Sequence, residues 1–432
     1  MTAQKRLETA RSLLTEAYKT LDLKFGFELW DGSLVPENFD NQALRLVISQ
    51  EGVLASLIRK PKIDTLINAY VSGQLFLKNG NFFDFAKARP QGKIGRLIRK
   101  ISKPLILKTA WLFWRAPVSA ATPLEGIKGD SIARDGKPET NKENVHYHYD
   151  VSNEFYKLFL DQEMVYTCAY FKDWHDDIDQ AQQDKLDMIC RKLRLKPGER
   201  FLDIGCGWGA LICHAAQHFG VQATGVTLAE EQAKLAREKV ERLGLQDKVK
   251  IVLKDYTLME EEFDKISSIG MFEQVGIANH PQYFQSVHKL LRPGGLYLHH
   301  SIHRHAKKSD KKFNKLKPEY RALIRYIFPG GELDHLGMSI TNLERFGFEV
   351  HDSEGWREHY QRTCRLWAER IEANWEAAVK EIGPEKARMW LLYLSGCSLA
   401  FERNAVGIYQ TLASRRIRGP AELPPSREDL YK

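Results

Sequence analysis

Nine residues near the middle of the chain, Phe201-Leu-Asp-Ile-Gly-Cys-Gly-Trp-Gly209, carry the clearest chemical signal. Arg200–Ile204 reads as a short buried strand after the turn Pro197-Gly198. Three glycines follow at i, i+2 and i+4, and an apolar helical pattern opens behind them. Glycine lets a chain turn sharply and lets its backbone approach a ligand closely. Asp203, at the end of the strand, offers a carboxylate to a ligand amine or hydroxyl. The spacing is G-x-G-x-G, not the G-x-G-x-x-G of dinucleotide sites. A dinucleotide is therefore not the expected ligand.

Histidine and cysteine are the other reactive side chains. The run His299-His-Ser-Ile-His-Arg-His305 invites a metal reading, but its spacing matches no standard zinc pattern. His146 and His148 would share one side of a strand, which could also suit a metal. The six cysteines are scattered, with no C-x-x-C pair. Neither a zinc site nor a disulfide framework is expected, and the thiols are read as reduced.

The elements that must position these groups follow from pattern. A chain of 432 residues, 43% hydrophobic and 28% charged, is long enough for two globular domains. Strands are expected near Arg200–Ile204, Gln222–Val226, Val249–Leu253, Lys265–Met271, Gly295–Ile302 and Gly347–His351. Helices are expected near Gln183–Leu195, Ala210–Phe219, Leu228–Leu243, Pro281–Leu291, Ile340–Phe346, Arg357–Ile382 and Pro384–Leu412. Alternating strands and helices imply a mostly parallel sheet covered on both faces. The division reads as an N-terminal lipid-handling or membrane-docking domain (1–116), a linker (117–142), a second domain (143–418) and a flexible tail (419–432). Within the first, Phe25–Trp30 and Leu44–Ser49 are strand-like and Ile63–Tyr70 is helical in pattern, a small α+β unit.

Net charge is +8, and the charge is unevenly placed. Phe85 to Leu124 has no Asp or Glu but nine basic residues, interleaved with Ile94, Leu97, Ile98, Ile101, Trp111 and Trp114. Such a stretch suits an anionic membrane surface, with nucleic acid as the rival partner. The charged N-terminus carries no signal-like apolar run, and no apolar stretch approaches a membrane span. The expected location is cytoplasmic, peripheral to the inner face of the membrane.

Several spaced blocks then point to one family: His146-Tyr-His-Tyr-Asp150 with Asn153-Glu-Phe-Tyr156, Tyr166-Thr-Cys-Ala-Tyr-Phe171, Phe201–Gly209, Gly225-Val-Thr-Leu228, Gly270-Met-Phe-Glu273, Phe328-Pro-Gly-Gly331 and His359-Tyr-Gln-Arg-Thr363. In order and content they resemble the cyclopropane fatty acid and mycolic acid cyclopropane synthases. The resemblance covers the second domain; the first resembles only the longer bacterial members. It implies a class I methyltransferase fold, Rossmann-like and doubly wound, with extra helices. It also implies an enzyme that moves the methyl of S-adenosylmethionine onto a cis double bond of an unsaturated phospholipid acyl chain. A carbocation forms, bound bicarbonate takes a proton from the new methyl, and a cyclopropane ring closes. The same scaffold can instead leave a methylene or methyl branch.

Carried onto this chain, the bicarbonate site is Cys168, Glu273, His300, Tyr360 and the backbone at Ile302. The cofactor site is Asp203, Gly205 and Gly207, then Thr227 and Gln232, then Asp255 and Tyr256, with Tyr149, Tyr166 and Thr167 over the methionine end. A helical lid is expected at His146–Asp150 in place of a metal. Two residues depart from the family: Gln274 stands where His is usual after the catalytic Glu, and Ala229 where Ser is common. The family leans towards a homodimer, which the sequence itself does not show. A DNA amino-methyltransferase would carry Asn/Asp-Pro-Pro-Tyr after the fourth strand, where this chain has Gly270-Met-Phe-Glu-Gln-Val-Gly276. A noncatalytic lipid-transfer protein with a relic cofactor fold is the third class, and the joint presence of Cys168, Glu273, His300 and Tyr360 argues against it.

Overall fold

A computed structural model of the chain describes residues 3–90, 99–118, 151–327, 331–421 and 423–431. Residues 119–142 of the expected linker, the block His146–Asp150 and residues 328–330 lie outside these. The chain divides into two compact units, Met1–Gly126 with Gly383–Ser395, and Ile127–Ile382 with Gly396–Lys432. Residues 383–395, assigned from sequence to the second domain, group with the first unit.

The first unit is α+β. Its sheet has the order β2-β1-β3-β4, formed by Gly26–Glu28 (β1), Leu34–Val35 (β2), Arg45–Ile48 (β3) and Leu75–Lys78 (β4). An N-terminal helix, Ala3–Leu21, was not among the expected elements; its buried stripe, with Leu7, Ala10 and Ala17, is narrow on an otherwise charged surface. Leu7, Phe25, Phe27, Leu29, Val35 and Ile48 form part of one core. Helix Phe82–Ala88 starts at a reciprocal cap. Asn81 Oδ1 accepts from the amides of Phe83 and Asp84, while Asp84 Oδ2 accepts from the Asn81 amide.

The second unit holds a seven-stranded sheet, order β10-β11-β9-β8-β5-β6-β7. Its strands are Arg200–Ile204 (β5), Gln222–Thr227 (β6), Val249–Leu253 (β7), Phe263–Ile269 (β8), Leu291–Arg304 (β9), Phe348–Gly355 (β10) and Val406–Arg415 (β11). β5, β6, β7, β8 and β9 pair in parallel, and β11 runs antiparallel to both β9 and β10. Chain order reverses direction on either side of β5, so the gap above β5 and β8 is where an open α/β sheet binds ligands.

Three expectations need correction here. The helix expected over Pro384–Leu412 ends at Glu402, and Val406–Arg415 is a strand. Asn404 takes φ 52° and the Ala405 amide returns to the Ala400 carbonyl, which closes the helix. Buried between β9 and β10, β11 lacks the alternation of a half-buried strand, so its apolar run reads as helical. The helix expected over Arg357–Ile382 breaks at Asn374, whose amide nitrogen donates to the Leu158 carbonyl at 2.9 Å. The expected flexible tail is partly held: Leu430 is buried, and Arg427 pairs with Asp352 at 3.2 Å.

Candidate functional site

The loop after β5 turns because Gly205 and Gly207 sit at φ +80° and +53°, which side chains rarely adopt. A Cβ on Gly205 would lie 2.9 Å from Met271 Cγ, while one on Gly207 would meet nothing within 4 Å. The first glycine lets two loops close together, and the second leaves backbone facing open space. That space is a cleft of about 1310 Å³, its open mouth included. Nine of the ten residues expected to hold the cofactor line it: Tyr166, Thr167, Asp203, Gly205, Gly207, Thr227, Gln232, Asp255 and Tyr256. The tenth, Tyr149, lies outside the described residues.

The cleft's polar groups are held by the protein itself. Ser267 Oγ donates to Asp203 Oδ1 at 2.6 Å. Burial pushes the Asp203 carboxyl up to about 6, against the opposing pull of Ser267 and Lys185. Thr227 Oγ1 donates to Gln232 Oε1 at 3.2 Å and accepts from the Ala229 amide at 3.2 Å. Helix Glu230–Arg242 starts at Ala229 with no side-chain cap, and the Thr227 bond is to the Ala229 amide, not to those of the first turn. Asp255 Oδ1 accepts from the amide and hydroxyl of Thr257. Lys185, absent from the expected set, also lines the cleft and donates to Thr167 Oγ1 at 2.9 Å. Burial lowers it to about 8.

One residue deeper lies the second set. Cys168 follows Thr167, and Glu273 precedes Gln274, both cleft-lining neighbours. Trp356, fully buried, is the hub. Its carbonyl is 3.9 Å from Cys168 Sγ and accepts the Tyr360 amide at 3.1 Å, and its ring meets that of His300 edge-on at 5.3 Å. His300 and Ile302 share one face of β9. The Ile302 amide donates to Glu273 Oε1 at 2.6 Å. Of the Ile302 backbone, the N–H is therefore taken up by the carboxylate.

The protonation of this set follows from its burial. The Cys168 thiol and Tyr360 phenol are pushed well up, so both keep their protons. Burial lifts Glu273 to about 7, although the Ile302 amide opposes the shift. His300 is held neutral by burial and by Lys185 and Lys192. Its tautomer is set from β11. Lys192 Nζ, which can only donate, bonds Gln410 Oε1 at 2.7 Å. The Gln410 amide nitrogen then faces His300 Nδ1 at 3.2 Å and donates to it. The ring proton is left on Nε2. Neither Glu273 Oε2 nor His300 Nε2 has a hydrogen-bond partner among the described residues. A thiol, a phenol and an imidazole N–H are donors, and a carboxyl at the edge of ionisation completes the set. Those donors fit a small oxyanion.

Alternation along β9 divides the histidine run. His299 and His303 face opposite His300 and join a hydrogen-bonded chain: Tyr297 to His299 at 2.9 Å, His299 to Ser301 at 2.9 Å, Ser301 to His303 at 3.0 Å, and His303 to Asp334 at 2.5 Å. His305 reaches Asn404. Among the described residues no group of three or more His, Cys, Asp or Glu is arranged to hold a metal. Lys192 and Gln410 were missed because the helical reading of β11 hid Gln410, and a lysine inside a helix reads as solvated. The signal available was a polar residue inside an apolar run.

The mycolic acid cyclopropane synthetase family profile matches residues 136–411. The chain belongs to that family. A probable fatty acid methyltransferase of Pseudomonas putida is 37% identical over 423 residues, 97% of this chain and 99% of that protein. The cyclopropane-fatty-acyl-phospholipid synthase of Escherichia coli K12 is 38% identical over 270 residues, 62% of this chain and 67% of that one. Among solved structures, mycolic acid cyclopropane synthase CmaA1 complexed with SAH and CTAB superposes with TM-score 0.60 at 31% identity, covering 63% of this chain and 98% of that one. The second unit therefore has the class I methyltransferase fold. Both sets of residues described above fall within the stretch that matches the cyclopropane synthetases.

Proposed function

We propose that the protein transfers the methyl group of S-adenosylmethionine to a cis double bond of an unsaturated phospholipid acyl chain and closes a cyclopropane ring. The observation that carries this is the pair of buried, unpartnered atoms, Glu273 Oε2 and His300 Nε2, beside the protonated Cys168 and Tyr360. It is supported by family membership and by the relatives' acyl-lipid names.

S-adenosylmethionine supplies an electrophilic methyl when bound in the cleft. Gly205 and Gly207 would give it backbone approach, Asp203 would accept from its amine, and Gln232 and Asp255, which line the same cleft, would hold ribose and adenine. An alkene is a weak nucleophile, so positioning and a dry site carry the rate. Bicarbonate suits the chemistry of the deeper set: His300 Nε2–H, the Cys168 thiol and the Tyr360 phenol could donate to it, and Glu273 would take or pass on its proton. Glu273 near 7 suits that exchange at neutral pH. Bicarbonate held there would supply the base for the proton that the methyl carbon loses as the ring closes.

A second reading keeps the scaffold and changes the product to a methyl- or methylene-branched chain. Gln274, at the cleft wall beside Glu273, favours it, as does the naming of the Pseudomonas relative as a fatty acid methyltransferase. The deciding experiment incubates the protein with methyl-labelled S-adenosylmethionine, bicarbonate and mono-unsaturated phospholipid vesicles, then examines the fatty acids by mass spectrometry and NMR. Labelled chains with ring protons and no alkene are expected. Labelled branched chains would select the second reading. Absence of label from lipid, with cofactor bound, would overturn both.

A further inference from the structure

In the first unit, helix Lys103–Trp114 presents two opposite faces. Thr109, Leu112 and Phe113 point inward, with Ala116 just beyond, onto Ala10 and Ala55. Phe113 meets Trp30 edge-on at 6.3 Å. Leu107, Trp111 and Trp114, at i, i+4 and i+7, form a stripe on the other side and are 69%, 57% and 61% exposed. Val118, past the end of the helix, is 50% exposed. Other exposed large apolar side chains of this unit do not accompany them: Leu66, on helix Ile63–Val71, stands alone.

Cations lie close to the stripe in sequence. Arg99, Lys100, Lys103, Lys108 and Arg115 are all exposed, and no Asp or Glu occurs between Phe85 and Leu124. We propose that this face docks on an anionic phospholipid bilayer, with Leu107, Trp111 and Trp114 at the headgroup–acyl boundary and the cations against lipid phosphates. Apolar insertion and charge attraction are the two contributions that together make surface anchoring firm. Tryptophan, with an apolar body and one N–H, suits that boundary better than a protein core or water. A second copy of the same face is disfavoured, because two acid-free basic stretches would meet. Among the described residues no helix is long and apolar enough to cross a membrane, so the contact proposed is a surface one. The proposal deepens the lipid reading above by naming the surface that would meet the substrate's membrane.

The test uses the full chain with vesicles of phosphatidylglycerol and phosphatidylethanolamine, alongside purely zwitterionic vesicles. Cosedimentation gives affinity, and brominated lipids report tryptophan depth. Leu107→Ser/Trp111→Ser/Trp114→Ser should lose at least about tenfold in affinity and most bromine quenching. Lys103→Gln/Lys108→Gln/Arg115→Gln should lose about fivefold per charge on anionic vesicles only, and only at low salt. Both variants should keep wild-type cofactor binding and wild-type turnover of detergent-dispersed lipid. Unchanged vesicle affinity in both variants would overturn the proposal. So would a wild-type dimer, seen by sedimentation, that the apolar variant breaks into monomers. Wild-type docking without turnover of any lipid would support this face and overturn the proposed reaction, so the two fail separately.

Discussion

At the tip of β5 the Asp203 carboxylate is met by Ser267, and Thr227 and Asp255 likewise have partners of their own. One residue deeper, Glu273 and His300 each keep a buried atom that nothing in the described protein meets. Both groups are buried and polar, so the difference lies in completeness. A cleft whose acceptors are already positioned recognises a large ligand by shape and a few aimed bonds. A buried polar atom without a partner costs free energy, on the order of 1–3 kcal/mol. Glu273 and His300 therefore keep hydrogen-bonding capacity that the described protein leaves unused.

The sharpest way to break this comparison is Glu273→Gln. Turnover should fall by roughly 10²–10⁴ while cofactor affinity stays within about threefold. Equal losses in both would merge the two sets into one. The same variant carries a pH signature. Burial lifts Glu273 from 4.5 to about 7, so the folded protein keeps a proton that the unfolded chain releases. Stability from this group is complete below about 4.5, falls as pH rises, and is lost above about 7. Glu273→Gln removes that slope. In denaturant titrations it should be more stable than wild type at pH 8, by about 3 kcal/mol, with the gap closing towards pH 4.5. A pH-independent difference would show that Glu273 titrates normally.

Asp203→Asn tests the other side. The amide keeps the shape and removes the charge, so cofactor affinity should fall roughly 10–100-fold. Turnover at saturating cofactor should move far less. A loss confined to turnover would reverse the assignment of the two sets.

Gln410 separates positioning from chemistry within the deeper set. Gln410→Glu places an acceptor at His300 Nδ1, draws the ring proton there and leaves Nε2 unable to donate. Gln410→Leu merely removes the contact. Turnover should fall about tenfold or more with Glu and less with Leu, and the bicarbonate requirement should rise with Glu. Equal effects from both would make Gln410 a packing residue only. Nitrogen-15 shifts of the His300 ring would read the tautomer directly.

The legible part of this site was local. Asp203, Gly205 and Gly207 announce themselves because a strand, a sharp turn and a helix lie within ten residues, each with its own pattern. The order of β5 to β9 followed from the same alternation. Cys168, Glu273, His300 and Tyr360 could be named only through family resemblance, since they come from four distant segments and their local sequence does not by itself point to a shared chemistry. Lys185, Lys192 and Gln410 escaped altogether. A helix periodicity does not say which lysine is buried, and β11 hides its period between two strands. The N-terminal helix was missed for the opposite reason, a charged surface with only a thin buried stripe.

The smallest expected effect concerns charges that are exposed. Lys307, Lys308, Lys311 and Lys312 lie on the segment after β9, around the short helix Asp310–Phe313, and all four face solvent. Lacking a buried environment, they say nothing by their solvation alone, in contrast to Glu273 and His300. Their case rests on sign and number: four cations beside the helix Pro318–Tyr326, whose Ala322 and Ile324 are buried. If they steer headgroups towards the acyl-chain entrance, replacing all four with Gln should lower turnover on anionic vesicles severalfold at low salt. On zwitterionic vesicles, or near 0.5 M salt where screening is short-ranged, the difference should vanish. Unchanged turnover on anionic vesicles at low salt would place the entrance elsewhere. A loss that persisted in high salt would mean the lysines hold structure instead of charge, and would leave burial as the better guide to function on this face as well.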